Sequence, residues 1–386
     1  MNLLLITVSG LRFDHLGCYG SSIARTPAID RLASKGAIFT EAYTTSDMTT
    51  PAAISLMTSL SVKHHSPYRY VGKLPEDSTT LPALLQDHAT CGVAGTFLLD
   101  SEAFLPAATF GSYYSPGLRR KSFRSTDVNL YAVSFLEEHR TQPWFLWVNY
   151  NDICDPSQGS EDAVPTLESY DRSVSGVDSA ISILLEALDE LHLSNRTMII
   201  ITAEHGRDIE EKGLHSEKEG LYEEILHIPL IMTFQSRIPQ KRVSGLVSIL
   251  DILPTVREFL DIKAEPYFEG MSLVPLIDGA SQKIDRVLFA ESFLQTVAVV
   301  WNGGYKLIRY NDDSTGTETP QNYEFYNIRQ DPGETMNLAL SFDNTEQLKE
   351  METLLEKWYS DSPYKEKARR PQVSLPLMTR LRMLGF

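Results

Sequence analysis

Glu204 and His205 stand side by side in I-I-T-A-E-H-G-R-D, where an apolar, β-rich run at 198–202 turns polar. A carboxylate beside an imidazole suits a divalent cation or general acid–base work. Other polar residues fall at comparable places. Ser9 follows the apolar run 2–8, and Asn149 and Asp152 close the run that begins at Pro143. Thr49 opens T-T-P-A-A-I-S-L-M-T-S-L, where Thr49 or Thr50 ahead of Pro51 reads as the N-cap of a helix. There the unpaired N–H groups and the helix dipole favour an anion. His64 and His65 follow that helix as further anion-binding candidates, and Cys154 is a candidate thiol.

These side chains need a scaffold that brings distant residues to one edge. The runs 2–8, 143–152, 198–202 and 228–233 are continuous and apolar, the pattern of strands buried on both faces. Segments 37–43 and 91–97 read as further strands, and 26–36, 49–60, 80–86, 127–139, 169–191 and 248–260 read as helices. Such alternation predicts an α/β fold: a large, mostly parallel, doubly wound sheet with its ligands at the carboxyl ends of the strands. Segment 98–125 reads as a surface loop with a basic patch at Arg119, Arg120, Lys121 and Arg124. Composition shifts near Gly279. Short strands at 286–291, 298–301, 305–310 and 324–327, then a helix at 344–358 and a basic tail from Lys365, predict a small antiparallel subdomain. The expected division is therefore 1–280 and 281–386, the second unit packed on the first.

The 386 residues carry 35 Lys and Arg against 51 Asp and Glu, a formal net charge of -16. That balance disfavours nucleic-acid and anionic-membrane partners, which need a basic face, but leaves room for a locally positive pocket holding a small anionic or ester substrate. Cys18, Cys91 and Cys154 are scattered and odd in number, which points to reduced thiols and a cytoplasmic protein. The apolar start lacks a basic n-region and reads as a first strand, and no run is long enough to span a membrane.

At this point the chain resembles the sulfatase family of the alkaline-phosphatase-like superfamily. The resemblance runs through I-T-V-S-G-L-R-F-D-H-L-G-C-Y-G, T-P-A-I-D-R-L-A-S-K-G, T-T-P-A-A-I-S-L-M-T-S-L, W-F-L-W-V-N-Y-N-D and I-I-T-A-E-H-G. It implies a sulfatase-like α/β domain, ester hydrolysis and a divalent metal. It also exposes changes. The family's metal-binding aspartate at the end of the first strand is Ser9, and its later aspartate is Glu204. The family nucleophile, a Cys or Ser oxidised to formylglycine, falls on Thr49, and its supporting arginine on Ala53. Threonine cannot supply the aldehyde, so no formylglycine is expected. The family's His and Asp-Pro-His positions fall on Asn149 and on Asp152, Ile153 and Cys154; its basic and histidine positions fall on Lys63, His64 and His65. Its lysine falls on Lys218, with Glu219 as the alternative.

Two functions follow from the resemblance. In the first, a phosphate- or sulfate-ester hydrolase or transferase uses Thr49 as nucleophile with His205, Lys218 and His65 in catalytic roles. Asn149, Asp152, Cys154 and Lys63 would contact substrate. Glu204, His205, Ser9 and Asp14 would hold a metal, weakly if calcium or magnesium and better if manganese or zinc. In the second, the fold persists as a pseudo-sulfatase serving binding or assembly.

Overall fold

The structure is a computed structural model that describes residues 1–65, 74, 78–100, 104–154, 166–209, 220–235, 237–263, 267–281, 286–292, 297–301, 303–310, 323–340 and 345–361. Eight strands form the large sheet: β1 (Asn2–Val8), β2 (Ala37–Tyr43), β3 (Ala89–Val93), β4 (Ser112–Tyr114), β5 (Trp144–Tyr150), β6 (Thr197–Thr202), β7 (His227–Thr233) and β8 (Lys241–Ser248). Their order is β4-β3-β5-β1-β6-β7-β2-β8. Only β7 runs against its neighbours; every other pairing is parallel. The expected doubly wound, mostly parallel α/β sheet is therefore present.

Its centre is apolar for a simple reason. All seven residues of β1 and of β5 and all six of β6 are buried, because helices cover both faces. Each fully buried Leu, Ile or Phe there contributes about 1.5–3 kcal/mol relative to exposure. Helix α1 (Pro27–Ala33) packs on the long helix α2 (Leu167–Glu190), whose Val174, Val177, Ile181, Leu184 and Leu188 form the buried face.

Two strands were not legible as such. β4 is three residues at the sheet edge, two half-buried and Tyr114 exposed, too short for a period, inside the segment expected to be loop. β8 carries Gly245 at φ 126° and an irregular register against β2, which breaks the alternation a strand would show.

The second sheet is antiparallel, in the order β12-β11-β10-β9: β9 (Val287–Glu291), β10 (Val297–Trp301), β11 (Tyr305–Arg309) and β12 (Tyr323–Asn327). One face joins Leu288, Ala290, Val300 and Ile308 to Tyr43, Leu226 and Leu246 of the large-sheet unit. The other packs Leu307 and Phe325 on Met351, Leu355 and Trp358 of the last helix, Thr345–Ser360. The basic tail from Lys365 lies outside the described residues.

Candidate active site

β5, β1 and β6 are adjacent, with Thr7 level with Asn149 on one side and Thr202 on the other. The residues just beyond those levels must therefore meet at the carboxyl edge of the sheet. Ser9 Oγ donates to Glu204 Oε2 at 3.2 Å. Asn149 Nδ2 donates to Glu204 Oε1 at 2.8 Å and to Ser9 Oγ at 3.1 Å. Thr7 Oγ1 accepts from Trp147 Nε1 at 3.0 Å and from Asn149 Nδ2 at 3.4 Å. Glu204 is fully buried, and burial pushes its carboxyl above the usual range while the donors on it pull back. Thr44 Oγ1 donates to the Glu204 carbonyl at 2.5 Å and fixes the loop.

A second group forms next to it. Thr49 Oγ1 lies 3.0 Å from His205 Nε2, and His205 Nδ1 lies 2.7 Å from the Gly206 carbonyl. A carbonyl only accepts, so Nδ1 carries the proton and Nε2 presents its lone pair to the threonine hydroxyl. Burial pulls the His205 pKa below its ordinary value, which keeps the ring neutral with its Nε2 lone pair available. Gly206 is itself clamped: its N–H donates to the Ile225 carbonyl at 2.8 Å, and a Cβ there would come within 2.0 Å of the Glu224 carbonyl oxygen.

Thr49 is the first residue of the helix Thr49–Thr58, and Met48 takes the N-cap position. Neither Thr49 nor Thr50 caps the helix, contrary to expectation. Their hydroxyls have tertiary partners instead, His205 for Thr49 and the Leu98 carbonyl at 2.6 Å for Thr50. The first bond of the helix runs from Ala52 N–H to the Met48 carbonyl, so the N–H groups of Thr49 and Thr50 precede the intrahelical ladder.

Several expected members of the site are placed elsewhere. Asp14 does not join Glu204; Arg12 binds it with two hydrogen bonds, at 3.0 and 2.8 Å. Burial raises the Asp14 carboxyl, but the guanidinium more than reverses this. Asp14 lines a different cavity, about 910 Å³, bordered also by Phe13, Tyr43, His227 and Arg329. Asp152 Oδ1 accepts from Ser125 N–H at 3.1 Å and Ser125 Oγ at 3.0 Å, so it fixes the start of the helix Ser125–Glu138. Lys63 turns to the C-terminal helix, donating to the Trp358 carbonyl at 3.3 Å with its Nζ 4.5 Å from that ring's centroid. Cys154 Sγ fills the space over Gly10, whose φ of 80° and lack of a Cβ permit the approach. Lys218 lies outside the described residues.

His65 is buried and pairs through Nε2 with Ser55 Oγ at 2.8 Å, so it supports the helix that carries Thr49 rather than contacting Thr49. Burial pushes its pKa down to about 3 from 6.5. The folded value lies below the unfolded one, so stability is fully present above about pH 6.5 and declines as pH falls towards 3. The expected loss is on the order of 4 kcal/mol. Urea midpoints against pH should show this slope, and His65→Gln, which keeps a partner for Ser55, should flatten it.

The residues that sequence reasoning did not find are Thr7, Thr44 and the Gly206 carbonyl. Thr7 had one signal, a lone hydroxyl in the apolar run N-L-L-L-I-T-V, and the carbonyl had none.

A mostly parallel sheet that gathers a hydroxyl, an imidazole and a carboxylate at its carboxyl edge is the scaffold of an α/β protein with a hydrolase-type site. The sulfatase family model matches residues 1–262, and the chain belongs to that family, within the alkaline-phosphatase-like superfamily. A second model, the C-terminal region of N-sulphoglucosamine sulphohydrolase, matches residues 211–361. The chain is 22% identical to N-acetylgalactosamine-6-sulfatase of Canis lupus familiaris, over 90% of this chain and 83% of that one. It is 24% identical to arylsulfatase A of Bos taurus, over 89% and 84%. Among solved structures, a protein in complex with its substrate D-glucosamine-2-N,6-O-disulfate superimposes with a TM-score of 0.77 at 17% identity, covering 95% of this chain and 99% of that one. The phosphonate monoester hydrolase of Agrobacterium radiobacter gives 0.74 at 17% identity, covering 93% and 95%.

The family generally uses a divalent metal, and the donor set here does not fit one. Both Glu204 oxygens already accept from neutral donors, and both His205 nitrogens are engaged. Asp14 is held by Arg12. The expected ligand set of Ser9, Asp14, Glu204 and His205 is therefore split three ways. Among the described residues no group of three or more His, Cys, Asp or Glu side chains is gathered for a metal, and no helix is long and apolar enough to cross a membrane.

Proposed function

We propose that this protein hydrolyses a sulfate or phosphate ester with Thr49 as nucleophile and His205 as general base. The observation that carries the reading is the 3.0 Å contact from Thr49 Oγ1 to a His205 Nε2 whose lone pair is oriented by the Gly206 carbonyl. A hydroxyl is a weak nucleophile at neutral pH and needs such a base within hydrogen-bond reach. Oxidation of Thr49 would give a ketone, not an aldehyde, so formylglycine has no part.

The chemistry balances with these groups. Thr49 passes its proton to Nε2 as Oγ1 bonds to sulfur or phosphorus. The ester oxygen departs and takes that proton from the imidazolium. Water then gives a proton to Nε2 and attacks the same centre, releasing sulfate or phosphate, while Thr49 recovers its hydrogen. The N–H groups of Thr49 and Thr50 at the helix start are positioned to favour the anionic group. The sugar sulfates in the names of the relatives make sulfated amino sugars the first substrates to try, beside aryl sulfates and aryl phosphates.

The test is release of the alcohol from that panel, with its pH dependence. The base must be neutral to act, and its pKa is lowered, so the acid limb of kcat/KM should fall below pH 6.5. His205→Gln should reduce kcat/KM by about 10²–10⁴-fold and remove that limb. An acid limb unchanged in His205→Gln would refute the assignment.

A pseudo-sulfatase is the second reading, and one observation favours it: the closed hydrogen bonding around Glu204, typical of a structural core. It predicts no alcohol release from any ester tried.

A further inference from the structure

The amide of Asn149 sits among oxygens as a small cation would. Its Nδ2 has Glu204 Oε1 at 2.8 Å, Ser9 Oγ at 3.1 Å and Thr7 Oγ1 at 3.4 Å. The orientation of the amide is dictated by its other end, since Oδ1 accepts the Gly95 N–H at 3.1 Å. Turned over, the amide would set two N–H donors against each other at Gly95 and aim its oxygen at the Glu204 carboxylate. Asn149 and Glu204 are both fully buried, so neither can turn to water for relief. The spacings are those of hydrogen bonds, well beyond the roughly 2.0–2.6 Å that magnesium or calcium requires of its oxygen ligands. For a cation to enter, an N–H would have to leave the carboxylate it satisfies, and the site would still offer one acid and neutral hydroxyls.

We infer that Asn149 Nδ2 takes the cation's place in this family member, and that the protein holds no divalent metal at Glu204. Neutral donors then do what a metal does elsewhere: they satisfy a buried carboxylate and lock β5, β1 and the loop after β6 together. The inference stands whether or not Thr49 turns over an ester, because it concerns only the groups around Glu204.

The experiment compares the bound-metal content of wild type and Glu204→Gln, each purified with calcium, magnesium, manganese and zinc present. Thermal unfolding of both is followed with and without millimolar amounts of each ion. The amide introduced by Glu204→Gln would keep an oxygen for Asn149 and offer an N–H to Ser9, so the variant should fold, with metal content and ion-induced Tm shifts equal to those of wild type. Loss of one equivalent of metal on making Glu204→Gln, or a Tm rise with an ion in wild type that the variant lacks, would overturn the inference. A second variant guards against a folding failure. Ser9→Asp with Asn149→Asp sets three carboxylates together, and its Tm should rise on adding a divalent ion while that of wild type does not. Equal rises in both proteins would also overturn the inference.

Discussion

Thr49→Ala should lower ester turnover by about 10³-fold or more while leaving the protein folded. The loss is large because in the proposed mechanism the hydroxyl is the attacking atom, and His205 acts only through it or on a water that replaces it. The fold should tolerate the change. Among the described residues Thr49 Oγ1 makes one hydrogen bond, with His205 Nε2, and it does not cap its helix. Water can enter the gap beside the half-buried imidazole, so Tm should move by a few degrees at most. Thr49→Ser keeps the hydroxyl but loses the methyl that restricts its rotamer, and should retain most of the rate. A Thr49→Ala protein that turns over as fast as wild type would remove Thr49 from the chemistry. The measurement is kcat/KM on the ester that wild type handles best.

Lys306→Met should cost about 3–5 kcal/mol of stability, because it strips a fully buried cation from between two acids. Lys306 Nζ lies 2.8 Å from Glu334 Oε1 and 3.2 Å from Glu223 Oε1. Glu223 also takes the Tyr43 hydroxyl at 2.8 Å and stands 3.3 Å from His227 Nδ1, and its N–H donates to Glu334 at 2.7 Å. Against its burial, Lys306 and His227 hold the Glu223 carboxyl down, while burial drives Glu334 up. Without the lysine, two carboxylates face each other away from water. Glu334 would protonate first, so the loss should be smaller in mildly acidic buffer than in mildly alkaline buffer. The consequence reaches the site. This network pins the start of Glu223–Leu226, where the Ile225 carbonyl receives the Gly206 N–H and the Gly206 carbonyl orients His205. Turnover should therefore fall with stability, and urea unfolding at two pH values checks the energetic part.

Long apolar runs made β1, β5 and β6 readable, and with them the edge where Ser9, Asn149, Glu204 and His205 had to meet. Thr49 was readable from the T-T-P that opens its helix. The partnering was not. Glu204 and His205 look like one chelating pair in sequence, yet neighbouring side chains leave an extended chain on opposite sides. Glu204 turns to Ser9 and Asn149, His205 to Thr49. Lys63 and Asp14 were misplaced for different reasons. The partner of Lys63, Trp358, lies 295 residues away and no pattern announces it. Asp14 was claimed locally by Arg12, two residues earlier, before any distant group could use it. In β8 the same limit applies to backbone, where Gly245 breaks the period that would have marked a strand.

The most direct measurement of the account is the covalent state of Thr49 during turnover. Acid-quenched wild type with excess aryl sulfate or aryl phosphate, digested and weighed by mass spectrometry, should show one sulfuryl or phosphoryl adduct on the peptide carrying Thr49. His205→Gln should accumulate little of it. Turnover with that peptide unmodified throughout, or an adduct on another residue, would contradict the assignment of Thr49 and His205 as nucleophile and base.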